Sequence, residues 1–169
     1  MSIMVNKVLI TVKSSFEYSV RQDIRDYLFF FDKDVNVRAT EFRGGVLIVE
    51  TSKDPRYVAN LLINAPIPES VLTSIVPIIY EGSYNTVNDL ISVVRKYVSS
   101  DCRVYVVRCR LRGSLISNND CENALINLLR GGLGFRAVYR GGDSDCVVII
   151  EGLVDWFGIY VGPRSFVRV

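Results

Sequence analysis

The clearest chemical feature of the sequence is a row of arginines between residues 103 and 112. Arg108, Arg110 and Arg112 recur at every second position of this β-branched segment. Because side chains alternate along a strand, we predict that the three guanidinium groups share one face, about 6.6 Å apart. No acid on the segment offsets their repulsion, and guanidinium groups bind phosphate in a bidentate manner. A polyanion is therefore the candidate ligand, and a solvated polar strand face is the alternative.

The arginines are concentrated in the C-terminal part of the chain. The net charge is only +2, but the segment from Arg103 to Val169 has nine basic residues, all arginine, against six acidic ones. Arg130, Arg136 and Arg140 surround a glycine-rich connection and are further candidates for contacts with a nucleic acid backbone.

Catalytic chemistry is restricted by the absence of histidine from the sequence. This excludes Ser-His-Asp and Cys-His catalysis and every His-containing metal site. Four cysteines form no CxxC pair: Cys102, Cys109, Cys121 and Cys146. We therefore expect no metal and predict free, partly buried thiols, since an intracellular disulfide is expected only in a hyperthermophile. An enzyme that uses Cys121 or a carboxylate stays open as an alternative.

Three C-terminal patterns are interpreted as structural. The segment 132–137 fits G-x-G-x-x-A, but it leaves a predicted helix and enters a strand, the reverse of a dinucleotide-binding loop, so no cofactor is expected. Four acids are assigned to glycine-rich turns, where they bond the backbone: Asp143, Asp145, Glu151 and Asp155. Three aromatic residues of the last strand are assigned to the core: Trp156, Phe157 and Tyr160.

Residues 1–80 are predicted to form a ferredoxin-like βαββαβ domain. The predicted elements are a strand over Val5–Lys13, a helix opened by a capping box at Ser14 and Glu17, strands over Val35–Ala39 and Val46–Glu50, a helix capped by Asp54, and a strand over Thr73–Ile79. The first helix carries an apolar stripe that should pack inward: Phe16, Val20, Ile24, Tyr27, Leu28 and Phe31.

Residues 81–169 are predicted to form a mixed α/β domain after a polar break at Glu81–Asn85. The order is a helix capped by Thr86, a strand over Arg103–Arg112, a helix capped by Ser117, and strands over Phe135–Tyr139, Asp145–Ile150 and Val154–Val161. The fold class is therefore α+β. No apolar run approaches the ~18 to 20 residues that a membrane span needs, and a cytoplasmic location is the default expectation.

Three segments together resemble THUMP-domain proteins that carry an N-terminal ferredoxin-like domain. They are the hairpin segment 37–49, the strand Tyr105–Arg112 with its following Arg-Gly step, and Asp143–Glu151 ahead of Gly158–Val161. The resemblance covers nearly the whole chain. It implies that residues 81–169 are a THUMP-like RNA-binding domain.

The resemblance also implies a function, because THUMP is an RNA-binding module of tRNA-modifying enzymes and is usually followed by a catalytic domain. With the chain ending at Val169, the sequence is similar to stand-alone THUMP proteins that act as adapters for a tRNA cytidine acetyltransferase. RNA contact is then expected at Arg108, Arg110 and Arg112, and at Arg43 in the hairpin. The expected protein is a non-catalytic tRNA-binding adapter, with tRNA and a modification enzyme as partners. The alternative is a scaffold module whose basic face binds an acidic protein.

Overall fold

The computed structural model describes residues 5–42, 44–139 and 143–169, and the chain divides into two compact units. The first unit contains the described residues up to Ile78 together with Ser165–Val169, and the second contains Ile79–Arg164. The division thus precedes the expected one after residue 80. The last five residues return to the first unit because Ile75 and Arg168 exchange two backbone hydrogen bonds, of 2.7 and 3.0 Å.

The first unit has the expected ferredoxin-like order of elements. These are β1 (Asn6–Val12), α1 (Glu17–Phe29), β2 (Asn36–Ala39), β3 (Val46–Thr51), α2 (Pro55–Ile63) and β4 (Leu72–Ile78). The strands form an antiparallel sheet in the order β2-β3-β1-β4. Both helices bury apolar residues with one face of this sheet. The predicted α+β class and the βαββαβ order are confirmed.

The start and end of α1 differ from the prediction. A 3₁₀ turn over Ser14–Phe16 precedes the helix, and no side-chain capping bond forms there. Because α1 covers only Glu17–Phe29, Phe16 and Phe31 lie outside the helix and are 44% and 40% exposed. The inward stripe is therefore shorter than expected and centres on Val20, Ile24 and Leu28.

The second unit is a five-stranded sheet with two helices. Its elements are β5 (Tyr80–Ser83), α3 (Val87–Tyr97), β6 (Val104–Arg112), α4 (Asn118–Asn127), β7 (Arg136–Val138), β8 (Cys146–Leu153) and β9 (Trp156–Pro163). The strand order is β5-β9-β8-β6-β7, with β6 parallel to both β7 and β8. A π-helical turn over Leu128–Gly132 extends α4. Helices α3 and α4 pack on the sheet face that contains Tyr105, Val107 and Cys109.

Two segments of this unit were assigned incorrectly from the sequence. Tyr80–Ser83 is an edge strand that pairs with β9, although its polar residues indicated a linker. An edge strand faces solvent on one side, so it lacks the apolar run that marks a buried strand. Strand β8 continues to Leu153, and the turn lies at Val154 and Asp155, with a left-handed φ of 58° at Val154.

The helix caps agree well with the sequence. Asp54 accepts the backbone N–H of Arg56 at 2.8 Å, and Ser117 accepts that of Asp120 at 3.0 Å. The Asp89 carboxylate accepts the N–H groups of Asn85 and Thr86. No helix within the described ranges has the length and apolar character to cross a membrane.

Candidate nucleic-acid interface

Strand β6 places the three candidate arginines as the alternation predicted. Tyr105, Val107 and Cys109 are buried on the helix-covered face, and the arginines occupy the opposite face. All three arginines are only partly exposed. The exposed fractions of the Arg110 and Arg112 side chains are 17% and 20%. The guanidinium groups are thus less accessible than a solvated strand face requires.

A carboxylate on the neighbouring strand neutralises part of this charge. Glu151 of β8 lies opposite Arg110 in the parallel register, and its side chain is fully buried. One carboxylate oxygen contacts Nη2 of Arg110, and the other accepts a hydrogen bond from Nη1 of Arg112 at 2.8 Å. The strand itself contains no acid, as predicted, but an acid on the neighbouring strand relieves part of the repulsion. The relief comes from an acid that is adjacent in space but 39 or more residues away in sequence.

Helix α4 holds the other side of β6. The Glu122 carboxylate accepts the backbone N–H of Cys109 at 3.1 Å, and the Asn118 side chain accepts that of Leu111 at 2.7 Å. These bonds satisfy donors of β6 where it extends past the short strand β7. The arginine strand is therefore fixed on both flanks.

All four cysteines are paired, which corrects the prediction of free thiols. Cys102 is bonded to Cys146 and Cys109 to Cys121, with Cα–Cα distances of 5.8 and 6.2 Å. Sequence spacing did not reveal these pairs, because the pairing of the cysteines depends on the register of β6 against β8 and on where α4 packs. Cys121, the candidate nucleophile of the enzyme alternative, forms one of these disulfides.

The acidic residues singled out from the sequence have separate roles. The two carboxylate oxygens of Asp145 each accept a backbone hydrogen bond of 2.9 Å, one from Arg103 and one from Val104. These bonds hold the pKa of Asp145 below its ordinary value. Asp145 thus bonds the backbone, as expected, but the backbone at the start of β6 rather than that of its own turn, whereas Glu151 lies inside β8 and belongs to the arginine pairs.

The remaining candidates for RNA contact are Arg43, Arg130, Arg136 and Arg140. Arg136 begins β7 and is exposed. Arg130 is used internally, since its Nε and Nη2 donate to the carbonyl oxygen of Ala137 at 2.9 and 2.6 Å. Arg43 and Arg140 lie outside the described residues. Contact of RNA with any of these arginines stays a prediction.

The other sequence patterns are structural. The segment 132–137 does pass from a helical turn into β7, so it does not present a helix N-terminus to a phosphate. Phe157 and Tyr160 are buried, as expected, and Trp156 is partly buried. Within the described residues, no group of three or more His, Cys, Asp or Glu side chains is arranged to hold a metal ion.

The residue that sequence reasoning missed is Glu151. The only sequence signal for its role was its position, because Glu151 directly follows the apolar run Val147–Ile150. Such a position is more typical of a strand than of the turn to which Glu151 was assigned. A carboxylate in a buried strand requires a cationic partner, and Arg110 and Arg112 of β6 supply it.

Comparison with known proteins identifies the fold. No protein-family model matches the sequence, and no curated protein is significantly similar to it. Among solved structures, PH1313 from Pyrococcus horikoshii Ot3 is similar over 93% of this chain and 54% of that chain, at 18% identity and a TM-score of 0.65. TrmN from Thermus thermophilus is similar over 92% of this chain and 45% of its own, at 11% identity and a TM-score of 0.61.

A 4-thiouridine synthetase, solved as an RNA complex with bound ATP, is a third similar structure. The likeness covers 94% of this chain and 41% of the synthetase, at 10% identity and a TM-score of 0.51. This chain therefore spans about half the length of PH1313 and less of the other two proteins. The likenesses show a shared fold over nearly the whole chain and support a THUMP-like architecture.

Proposed function

We propose that this protein is a non-catalytic tRNA-binding adapter that presents tRNA to a modification enzyme, with a tRNA cytidine acetyltransferase as the candidate partner. The observation that carries the proposal is the fold likeness to a 4-thiouridine synthetase that was solved in complex with RNA. The likeness covers 94% of this chain, so both units take part in it.

The non-catalytic part of the proposal rests on how the reactive groups are used. The Cys121 thiol is bonded to Cys109, the Glu151 carboxylate is paired with two arginines, and the Asp145 carboxylate caps two backbone N–H groups. Cys121, Glu151 and Asp145 are thus each occupied by a structural partner. We expect the purified chain to form no product on tRNA with acetyl-CoA or S-adenosylmethionine.

An adapter also needs a surface for a protein partner, and exposed phenylalanines of the first unit are our candidate for it. Phe29, Phe30 and Phe31 follow one another at the end of α1 and are 53%, 90% and 40% exposed. Exposed aromatic side chains in contact with one another are typical of protein-interaction sites. Phe31 packs against both Tyr27 and Phe30, with ring centroids 5.7 and 6.0 Å apart. We call residues Phe29–Phe31 the phenylalanine patch.

The first test is binding of purified protein to tRNA in a gel-shift titration at several salt concentrations. We expect binding that weakens as salt rises, because each phosphate contact releases counterions. Salt-independent binding, or none, contradicts the tRNA-binding part of the proposal. Binding of an acidic protein instead supports the scaffold alternative.

The second test measures how the adapter changes the kinetics of the acetyltransferase. An adapter that supplies only binding lowers the apparent KM for tRNA and leaves kcat nearly unchanged. Phe30→Ser is the informative variant, since Phe30 is 90% exposed and its loss leaves the core intact. We expect this variant to bind tRNA normally and to lose the KM effect. A change in kcat alone contradicts the adapter role.

A further inference from the structure

One edge of the second-unit sheet collects five exposed cations, of which only Arg136 was predicted from the sequence to contact RNA. Strands β6, β7 and β8 begin at this edge and β9 ends there, because β9 is antiparallel to β8 and Pro163 lies opposite Cys146. We call it the strand-start edge. Its cations are Arg95, Lys96, Arg103, Arg136 and Arg164, and all five are exposed.

Asp145 brings three of these elements together. Its carboxylate accepts the backbone N–H of Arg103, and its carbonyl oxygen accepts that of Arg164 at 3.0 Å. Arg103 and Arg164 therefore flank the same residue. Arg136 is next to Arg103, since it lies opposite Val104, the residue after Arg103, in the β6–β7 register.

The last turn of α3 reaches the same place. Tyr97 and Asp101 line an open depression of about 390 Å³ together with Asp145 and Pro163. Arg95 and Lys96 precede Tyr97 in this last turn. Cations at a helix C-terminus also interact favourably with the helix dipole, so these two residues have a structural role as well.

The charge at this edge is available to a ligand, in contrast to that on β6. The side chains of the five cations form no hydrogen bond or ion pair with the described residues. The two backbone hydrogen bonds are the main cause of the lowered pKa of Asp145, and the charge of Arg103 is a smaller one. The acids at the edge are Asp101, Asp143 and Asp145, so five cations stand against three acids. On β6, by comparison, Arg110 and Arg112 are four-fifths buried and share Glu151.

We propose that the strand-start edge is the surface that contacts RNA phosphates, with Arg103, Arg136 and Arg164 as its central residues. The proposal rests on the tRNA-binding function proposed above and names the site for it. An extended anionic backbone fits this surface because its cations are spread over several strand ends rather than gathered in one enclosed pocket.

The test compares two matched triple variants in tRNA gel shifts at several salt concentrations. The edge variant carries Arg103→Gln, Arg136→Gln and Arg164→Gln, which remove charge but keep the side-chain stem. The control variant carries Arg25→Gln, Lys33→Gln and Lys53→Gln, which remove three exposed charges from the first unit. Neither set touches Glu151 or a cap, so both variants should fold, and circular dichroism checks this.

We expect the edge variant to reduce the slope of log K against log salt by about 2 to 3, at roughly 0.7 to 0.9 for each lost phosphate contact. If the two proteins bind equally at about 1 M salt, this corresponds to roughly 40- to 300-fold weaker binding at about 0.15 M salt. The control variant should keep the slope of the unmodified protein within about 1. This pair of results supports the proposal.

Two other outcomes overturn it in distinguishable ways. If the unmodified protein binds tRNA and the edge variant binds equally well, the strand-start edge is not the site, while the tRNA-binding function stands. If the unmodified protein does not bind tRNA, the proposed function itself fails, and the site proposal fails with it.

Discussion

Replacing Glu151 with glutamine is the sharpest test of the buried arginine pairs. Glutamine keeps the shape of the side chain but removes the charge that Arg110 and Arg112 share. Its amide nitrogen would then face a guanidinium group, and two partly buried cations would lack a counter-ion. Removal of one partner from a buried pair costs about 3 to 5 kcal/mol of unfolding free energy. Because the two arginines are 17% and 20% exposed, water compensates in part for the lost counter-ion. We therefore expect a loss of about 3 kcal/mol of unfolding free energy.

Urea unfolding followed by tryptophan fluorescence measures this loss with a probe that lies in the second unit. The chain has one tryptophan, Trp156, which lies opposite Leu153 in the same hairpin as Glu151. With a urea dependence of about 2 kcal/mol per M, the unfolding midpoint should fall by about 1.5 M. Asp101→Asn is the control, since it removes one exposed charge from the same unit and should change stability by less than about 0.5 kcal/mol.

A double variant separates the ion pair from general effects of the substitution. Arg112→Met removes the other side of the 2.8 Å contact. If the pair is real, the combined variant should be more stable than the sum of the two single losses predicts, by at least about 1 kcal/mol. A loss below about 1 kcal/mol for Glu151→Gln, or simple additivity, refutes the described role of Glu151. The result also bears on RNA experiments, because alanine at Arg110 and Arg112 would leave Glu151 buried without a partner.

Two further predictions concern stability. Reduction of the disulfides with dithiothreitol should lower the unfolding midpoint of the second unit. In the chain-entropy model, closing loops with sequence separations of 44 and 12 contributes about 4 and 3 kcal/mol of unfolding free energy. If thiol titration verifies the reduction and the unfolding transition of Trp156 is nevertheless unchanged, this prediction is contradicted. Burial alone would raise the pKa of Asp32, but hydrogen bonds from Thr51, Ser52 and Asp34 hold this pKa below its ordinary value. The stability that Asp32 contributes is therefore present above the pKa of the unfolded chain and is lost as the pH falls through the pKa of the folded protein. Asp32→Asn should therefore flatten the acid dependence of hydrogen exchange in the β3 amides, and equal acid dependence in both proteins contradicts the role of Asp32.

Local patterns in the sequence were sufficient to predict most elements. The caps at Asp54, Ser117 and Thr86 were predictable because the hydrogen bonds that form there join residues at most four positions apart. The alternation on β6 was predictable for a similar reason, since the strand period alone decides which side chains share a face. The ferredoxin-like order followed from these local elements.

Other features depend on contacts between residues far apart in the chain, and only the tertiary structure decided them. The edge strand Tyr80–Ser83 is a strand because β9 is available for pairing, and its own residues do not indicate this. Arg168 joins the first unit because its guanidinium donates to the carbonyl oxygens of Leu72 and Ile63, both at 3.0 Å. No local pattern encodes these partners.

The same distinction applies to the candidate site. The sequence by itself determined that three arginines lie on one face of β6 and that histidine-based chemistry is excluded. It did not determine whether those arginines are exposed or paired with an acid, because the parallel register that sets Glu151 opposite Arg110 joins residues 41 positions apart. Nor did it reveal the strand-start edge, since Arg103, Arg136 and Arg164 come together only where separate strands begin and end. Charge is a property of the sequence, but its neutralisation and exposure depend on which elements pack side by side.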